Sequence, residues 1–288
     1  MRHELDIWVI GGDRRQVRLA KLLAEDGHTV HTLGLGPVGG GVKEAESLAG
    51  AALADCVVLP LPVAAPGGTL NAPLAAESIP LEGVFAALGP GQVICAGRVD
   101  AATEALARDR GLTLHDYFAR EELAVANAVP TAEGAIQIAL EEMPVTLHGC
   151  RALVIGYGRL GRALAPRLAG LGAKVSVAAR KYAHLAWAEG FGFGTEHTGE
   201  LKGWLCGYDL IVNTVPALVL GEAELRELKE ECVVIDLASL PGGVDFQAAK
   251  TLGVKAVQAL SLPGKVAPAT AAVYLRNTIC HILNELGV

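Results

Sequence analysis

The chain has 288 residues, of which 51% are hydrophobic and 19% charged, and a formal net charge of −7. That length suits one large or two medium domains, and the apolar content excludes a disordered chain. The acidic balance, the lack of a long basic run and the few aromatic residues argue against an electrostatic nucleic-acid partner.

Arg2, His3, Glu4 and Asp6 put charge at the very start, so no signal peptide is expected. No uninterrupted apolar run reaches the roughly 18 residues of a membrane span. The six cysteines, Cys56, Cys95, Cys150, Cys206, Cys232 and Cys280, form no CxxC pair and mostly lie in or beside apolar segments. They read as reduced core residues of a cytoplasmic protein. The histidines show no HExxH or HxxxH spacing, so no metal site is expected.

In chain order, Leu5–Ile10 is a predicted strand, Gly11-Gly12-Asp13 a turn, and 14–26 a helix with Val17, Leu19, Leu22 and Leu23 on one face. Strands follow at 29–33 and 56–59, with a helix expected over Glu44–Leu53 between them. A Pro/Gly-rich loop runs from Pro60 to Pro80, and strands recur at 92–96 and 112–116. A connecting helix is predicted to begin at Val129-Pro130-Thr131 and to lead through Met143-Pro144 into a second set of strands, at 152–155, 174–179, 210–213, 232–236 and 254–257. Leu262–Pro268 reads as a rigid loop and Ala269–Leu286 as a last helix. This rhythm predicts an α/β chain with two doubly wound, Rossmann-like parallel-sheet domains joined by two helices. The boundaries expected are 1–128, a connecting helix at 129–143, and 144–268, with 269–288 packing back on the first domain. A ligand cleft is expected between the domains.

The most specific stretch is Gly156-Tyr157-Gly158-Arg159-Leu160-Gly161, set between the strand Ala152–Ile155 and a helix. The first glycine permits a tight turn. The second lets backbone approach a pyrophosphate, and the third lets the helix pack close to the strand with its N–H groups aimed at the phosphates. The next strand ends at Arg180-Lys181, where an NAD site would want a carboxylate, and no Asp or Glu lies between Gly161 and Glu189. A guanidinium there suits the 2′-phosphate of NADP, which favours NADP over NAD. The bland alternative is a pair of solvated loop charges. Thr214-Val215-Pro216 and Ala238-Ser239 end later strands of that sheet, where backbone is expected beside the ribose and the nicotinamide.

Candidate carboxylate-binding groups are Arg14 and Arg15 at the first helix start, Lys265 in its proline-flanked loop, and Thr131 and Glu133 at the expected start of the connecting helix. Each has a plainer reading. Asp13 can simply cap its helix, Lys265 can be exposed, and Thr131-Ala132-Glu133 can be ordinary helix-start chemistry.

Several stretches together resemble the A subunits of dipicolinate synthase, a family of spore-forming bacteria. They are Val9–Asp13 with Arg15-Gln16, Val129–Gly134, Gly156–Gly161, Ala179-Arg180 with Ala183-His184-Leu185, Asp236–Ser239 with Pro241-Gly242-Gly243, and Leu262-Pro263-Gly264 with Val266-Ala267-Pro268. The chain departs from the family at Lys181-Tyr182, at Lys265 and in the loop after Pro60. The resemblance implies an oxidoreductase subunit that forms dipicolinic acid from the dihydrodipicolinate-level intermediate of the lysine pathway, with NADP as hydride acceptor. It also implies a small dicarboxylate ring substrate, with Ser239 joining the groups above around it. A second, flavoprotein-like partner (the B subunit of the synthase) is implied too, and a homo-oligomer is expected. Two other readings remain open: an NADP-dependent amino-acid or hydroxy-acid dehydrogenase, and a non-catalytic cofactor-binding partner of a flavoprotein.

Overall fold

The computed structural model describes residues 4–288. The chain divides into two compact units, one running up to Ala126 and taking in Ala267–Val288, the other Asn127–Val266.

In the first unit, β1 (Asp6–Ile10), α1 (Arg14–Glu25), β2 (Thr29–Leu33), β3 (Lys43–Glu44) and β4 (Cys56–Val58) are followed by the short hairpin β5 (Ala64–Ala65) and β6 (Thr69–Leu70). Then come α2 (Leu81–Ala86), β7 (Val93–Ala96), α3 (Ala101–Arg108) and β8 (Leu114–Asp116). Six strands pair in parallel in the order β3-β2-β1-β4-β7-β8. Alternate residues of β1 feed two cores. Ile7 and Val9 pack with Leu19 and Leu23 of α1, while Trp8 and Ile10 pack with Leu81 and Phe85 of α2. Apolar side chains on both faces are what a covered parallel sheet demands.

α4 (Glu121–Glu142) leads into the second unit. There β9 (Arg151–Ile155), α5 (Arg159–Gly170), β10 (Lys174–Ala179), α6 (Tyr182–Gly190) and β11 (Gly194–His197) precede β12 (Leu210–Asn213), α7 (Glu222–Leu225) and β13 (Val233–Asp236). α8 (Phe246–Leu252), β14 (Lys255–Gln258) and α9 (Leu262–Val266) complete it. The strand order β11-β10-β9-β12-β13-β14 repeats that of the first unit, and again every pair is parallel. Both sheets are doubly wound and Rossmann-like, as the alternation of elements predicts. Their order reverses beside the first strand, which opens a ligand crevice at the strand carboxyl ends. α10 (Pro268–Leu286) belongs to the first unit, where Leu275, Ile279 and Leu283 join the core around Leu19 and Leu23.

Three sequence expectations are corrected. Residues 44–53 form no α-helix. Lys43–Glu44 pair with His31 and Thr32, and the Ala45 N–H goes to the Thr32 carbonyl, so sheet pairing takes the backbone groups a helix would need. Gly50, at φ 93°, then turns the chain into a short 3-10 turn at Ala51–Leu53.

The connecting helix does not begin at 129. α4 starts at Glu121 and has Pro130 inside it. Proline is favoured at a first helical position, which makes Pro130 look like a start, but buried Leu123, Ala128, Ala132, Ala135 and Ala139 carry the helix through it. Thr131 and Glu133 therefore sit mid-helix. The Thr131 hydroxyl donates to the Asn127 carbonyl at 2.7 Å, and no helix-start N–H groups stand there for an anion. α4 is also long and apolar enough by composition to cross a membrane, yet its Ala132, Ala135 and Ala139 are buried in the second unit's core.

Leu262–Val266 is a helical turn rather than a loop. Leu262 and Val266 lie against Gly134 of α4, where an added Cβ would come within 3.2 Å of both.

Candidate dinucleotide site

At the end of β9 the chain turns at Gly156, whose φ of 97° lies in the left-handed region. Its N–H donates to the Ala178 carbonyl at 2.7 Å. On the other side of β9, the Thr214 N–H and hydroxyl both reach the Ile155 carbonyl, at 2.8 and 2.9 Å. This is the point where the strand order reverses.

The three glycines do different work. A Cβ on Gly156 would stand 2.2 Å from Thr214 Oγ1, and one on Gly161 would stand 2.0 Å from the Gly156 carbonyl oxygen. Both are excluded by the protein's own atoms. A Cβ on Gly158 would meet nothing within 4 Å. Gly158 is the N-cap of α5 and supplies no side-chain cap. The helix N-terminus is thus uncapped at the one glycine that faces open space, a cradle that suits a pyrophosphate. Arg159 and Leu160 form the first turn of α5, and Leu164, Ala165 and Leu168 bury it on the sheet.

The ends of β12 and β13 are tied together by two buried polar residues. Asn213 and Asp236 are in register and fully buried. Asn213 Nδ2 donates to Asp236 Oδ1 at 2.8 Å and to the Val215 carbonyl at 2.9 Å, and Asn213 Oδ1 accepts from the Val215 N–H. Asp236 also accepts from the Ala238 N–H at 3.1 Å and the Gly243 N–H at 2.8 Å. A buried carboxylate with three donors is satisfied without a counter-charge. The network fixes the backbone of Thr214-Val215-Pro216 and of Ala238-Ser239 beside the glycine turn. It explains the neighbouring glycines as well: a Cβ on Gly243 would lie 2.3 Å from Asn213 Nδ2. Both strand ends stand out in the sequence, but the pair does not. Its signal was one polar residue ending each of two otherwise apolar strands.

Arg180 and Lys181 are exposed at the end of β10, and among the described residues neither is paired with a carboxylate. The Arg180 carbonyl accepts from His197 Nε2 at 3.2 Å, and the His197 ring stacks on Tyr182 at 5.6 Å. Ser239 and Lys265 are exposed in the same unit. Lys265 lies on α9, the turn that packs on Gly134, so it stands near the segment of α4 that carries Thr131 and Glu133.

In the first unit the equivalent turn is closed. Asp13 caps α1 by accepting from the Arg15 N–H at 2.9 Å, and Gln16 Oε1 accepts from the Asp13 N–H at 3.0 Å. The Arg15 guanidinium is held by Asp13 at 2.8 Å and by the Leu61 carbonyl at 3.0 Å. Arg14 is exposed. Tyr117, whose hydroxyl donates to the Leu59 carbonyl at 2.9 Å, is pushed up in pKa by burial. Among the described residues no cluster of His, Cys, Asp and Glu fits a metal ion.

The comparisons with known proteins agree with this architecture. A family model described as the N-terminal domain of the dipicolinate synthase A subunit matches residues 6–118. The dipicolinate synthase A subunit of Bacillus subtilis is 34% identical over 98% of this chain and 97% of its own. The chain belongs to the family of dipicolinate synthase A subunits. The crystal structure of the Bacillus subtilis member matches with a TM-score of 0.91 at 33% identity, covering 100% of this chain and 98% of that one. The fold extends beyond the family: a transhydrogenase from Sinorhizobium meliloti shares it at 18% identity, with a TM-score of 0.75 over 97% of this chain and 94% of that one.

Proposed function

We propose that this family member is an oxidoreductase subunit that forms dipicolinic acid from the dihydrodipicolinate-level intermediate of the lysine pathway, with NADP as hydride acceptor. The observation that carries the reading is family membership along nearly the whole chain, joined to an uncapped glycine turn at the switch point of the second sheet. A hydroxylated six-membered imine ring that loses water and then two hydrogens becomes a pyridine. A bound NADP would supply a hydride acceptor for one of those hydrogens, the other would leave as a proton, and aromatisation would make the step downhill.

The chain's own residues bind and orient. Gly156, Gly158, Arg159, Leu160 and Gly161 take the pyrophosphate on the α5 N-terminus. Arg180 and Lys181 take the 2′-phosphate, which rewards a guanidinium with two parallel hydrogen bonds. The backbone of Thr214, Val215, Pro216 and Ala238, fixed by Asn213 and Asp236, lies along the ribose and nicotinamide. For the two substrate carboxylates we retain Arg14, Arg15, Ser239 and Lys265. Thr131 and Glu133 contribute from a helix face rather than a helix start, and Arg15 arrives already half-neutralised by Asp13. The relatives are A subunits of a synthase, which implies a partner, and a flavoprotein-like second subunit completes the enzyme.

The test is to mix the purified chain, on its own and with the second subunit, with freshly generated intermediate and NADP⁺ or NAD⁺. NADP-dependent growth of pyridine dicarboxylate absorbance is expected. No product under any combination would overturn the reading, and turnover of an amino acid or hydroxy acid would replace it.

A further inference from the structure

The groove between α5 and α6 is lined by Tyr157, Arg162, Pro166, Trp187 and Phe191, and Arg180 and Lys181 stand between the end of β10 and α6; among the described residues no carboxylate pairs with Arg162, Arg180 or Lys181. Arg162, in the first turn of α5, has its guanidinium carbon 5.6 Å from the Tyr157 ring centroid and 6.0 Å from that of Trp187. The two rings hold it toward α6. His184 lies three residues before Trp187 on α6 and so shares that face. It is half-buried, and its backbone N–H donates to the Lys181 carbonyl at 2.9 Å, which closes the turn from the end of β10 into α6.

The charged groups that act on the imidazole are Arg162 from α5 and Lys181 from the end of β10, with Arg180 next to Lys181 in the chain; His197 of β11 reaches the Arg180 carbonyl and the Tyr182 ring. Burial first, then Arg162 and Lys181, hold the His184 pKa below the usual imidazole value. His184 is therefore a neutral member of a cationic cluster in the free protein. A phosphate dianion entering that cluster reverses the balance and favours the imidazolium.

We propose that His184 takes up a proton when the 2′-phosphate of NADP enters, and becomes, with Arg180 and Lys181, the third cation of that subsite. The inference rests on the NADP reading above. It makes NADP affinity proton-linked and leaves NAD affinity flat, because NAD brings no phosphate to the cluster. The sign follows from linkage: the bound complex holds more protons, so affinity falls as pH rises. The phosphate itself gains a proton below about pH 6, so the informative window is roughly pH 6.5–8.5.

Calorimetric titration of the full chain with NADP⁺ and NAD⁺, in buffers of different ionisation enthalpy, reads proton uptake directly. Uptake of part of a proton is expected with NADP⁺ and none with NAD⁺, and the NADP Kd should rise on the order of tenfold across the window. His184→Gln should remove the difference in uptake, flatten the profile, and leave NAD binding as it was. His184→Lys should restore tight NADP binding without pH dependence, and His197→Gln should keep the wild-type profile. An unchanged uptake and profile in His184→Gln overturns the role of His184 while leaving the NADP site standing. A wild-type chain that binds NADP⁺ no better than NAD⁺, or binds neither, overturns the NADP reading and this inference with it.

Discussion

Two strand-end turns hold equivalent places in two sheets of the same strand order, and they are finished in opposite ways. After β1, the chain fills its own helix start. Asp13 accepts from the Arg15 N–H in the first turn of α1, Gln16 accepts in return from the Asp13 N–H, and a Cβ on Gly12 would collide with the Gln16 side chain at 2.5 Å. After β9, the helix start is uncapped and Gly158 faces open space. One topology thus gives a self-sealed switch point and an open cradle, and the difference lies in a few side chains at one helix start. The fold locates the crevice, while capping chemistry decides whether an anion can use it.

The sharpest way to break this comparison is Gly158→Val. The open space around Gly158 leaves room for the side chain within the protein, so circular dichroism and thermal midpoint should stay near wild type while NADP binding is abolished. Normal NADP binding by a folded variant removes the cradle from the second unit. Gly161→Ala is its counterpart. With the Gly156 carbonyl 2.0 Å from the new Cβ, that variant should lose stability by about 1–3 kcal/mol. A wild-type urea midpoint would show that the turn relaxes freely.

The network behind the cradle should matter nearly as much. Asp236→Ala strands the Asn213 amide and two backbone N–H groups in a buried place, at a cost of about 3 kcal/mol. Equilibrium unfolding measures it, and a loss below about 0.5 kcal/mol, the scale of an ordinary surface substitution, would mean that solvent reaches the pair.

Next in size is the proposed 2′-phosphate end. Arg180→Asp should lower the NADP/NAD preference at least about tenfold, the worth of one charge-assisted contact. Titrations with both nucleotides decide it, since an unchanged ratio takes Arg180 out of the subsite.

In the sealed turn, Asp13→Ala should cost about 1 kcal/mol as a lost N-cap and should leave nucleotide affinity untouched. The smallest effect is expected at Lys265. Lys265→Ala should raise KM for the ring substrate with little change in cofactor affinity, because a contact made equally in ground and transition states moves KM more than kcat. A wild-type KM would transfer that role to Arg14, Arg15 or Ser239.

Much of this was legible in the residues. The parallel, doubly wound sheets follow from apolar strands alternating with amphipathic helices, and β10 and β12 begin and end where their residues predict. Gly156–Gly161 announces a tight strand-to-helix turn because glycine spacing is a local property of the backbone. Other features are not local. Whether Pro130 starts a helix or sits inside one depends on the alanines buried on either side of it, and whether 44–53 coils or pairs depends on β2 lying beside it. Which glycine of the fingerprint faces open space, and which are closed off by Thr214 and the Gly156 carbonyl, is decided by atoms from other strands and turns. The pairing of Asn213 with Asp236 joins residues 23 positions apart, and no sequence period links them. Sequence determined the elements and the chemistry at their ends, through propensity, periodicity and backbone freedom. Tertiary packing alone decided which helix start was sealed and which left open, because capping and close contact are set by what lies nearby in space rather than along the chain.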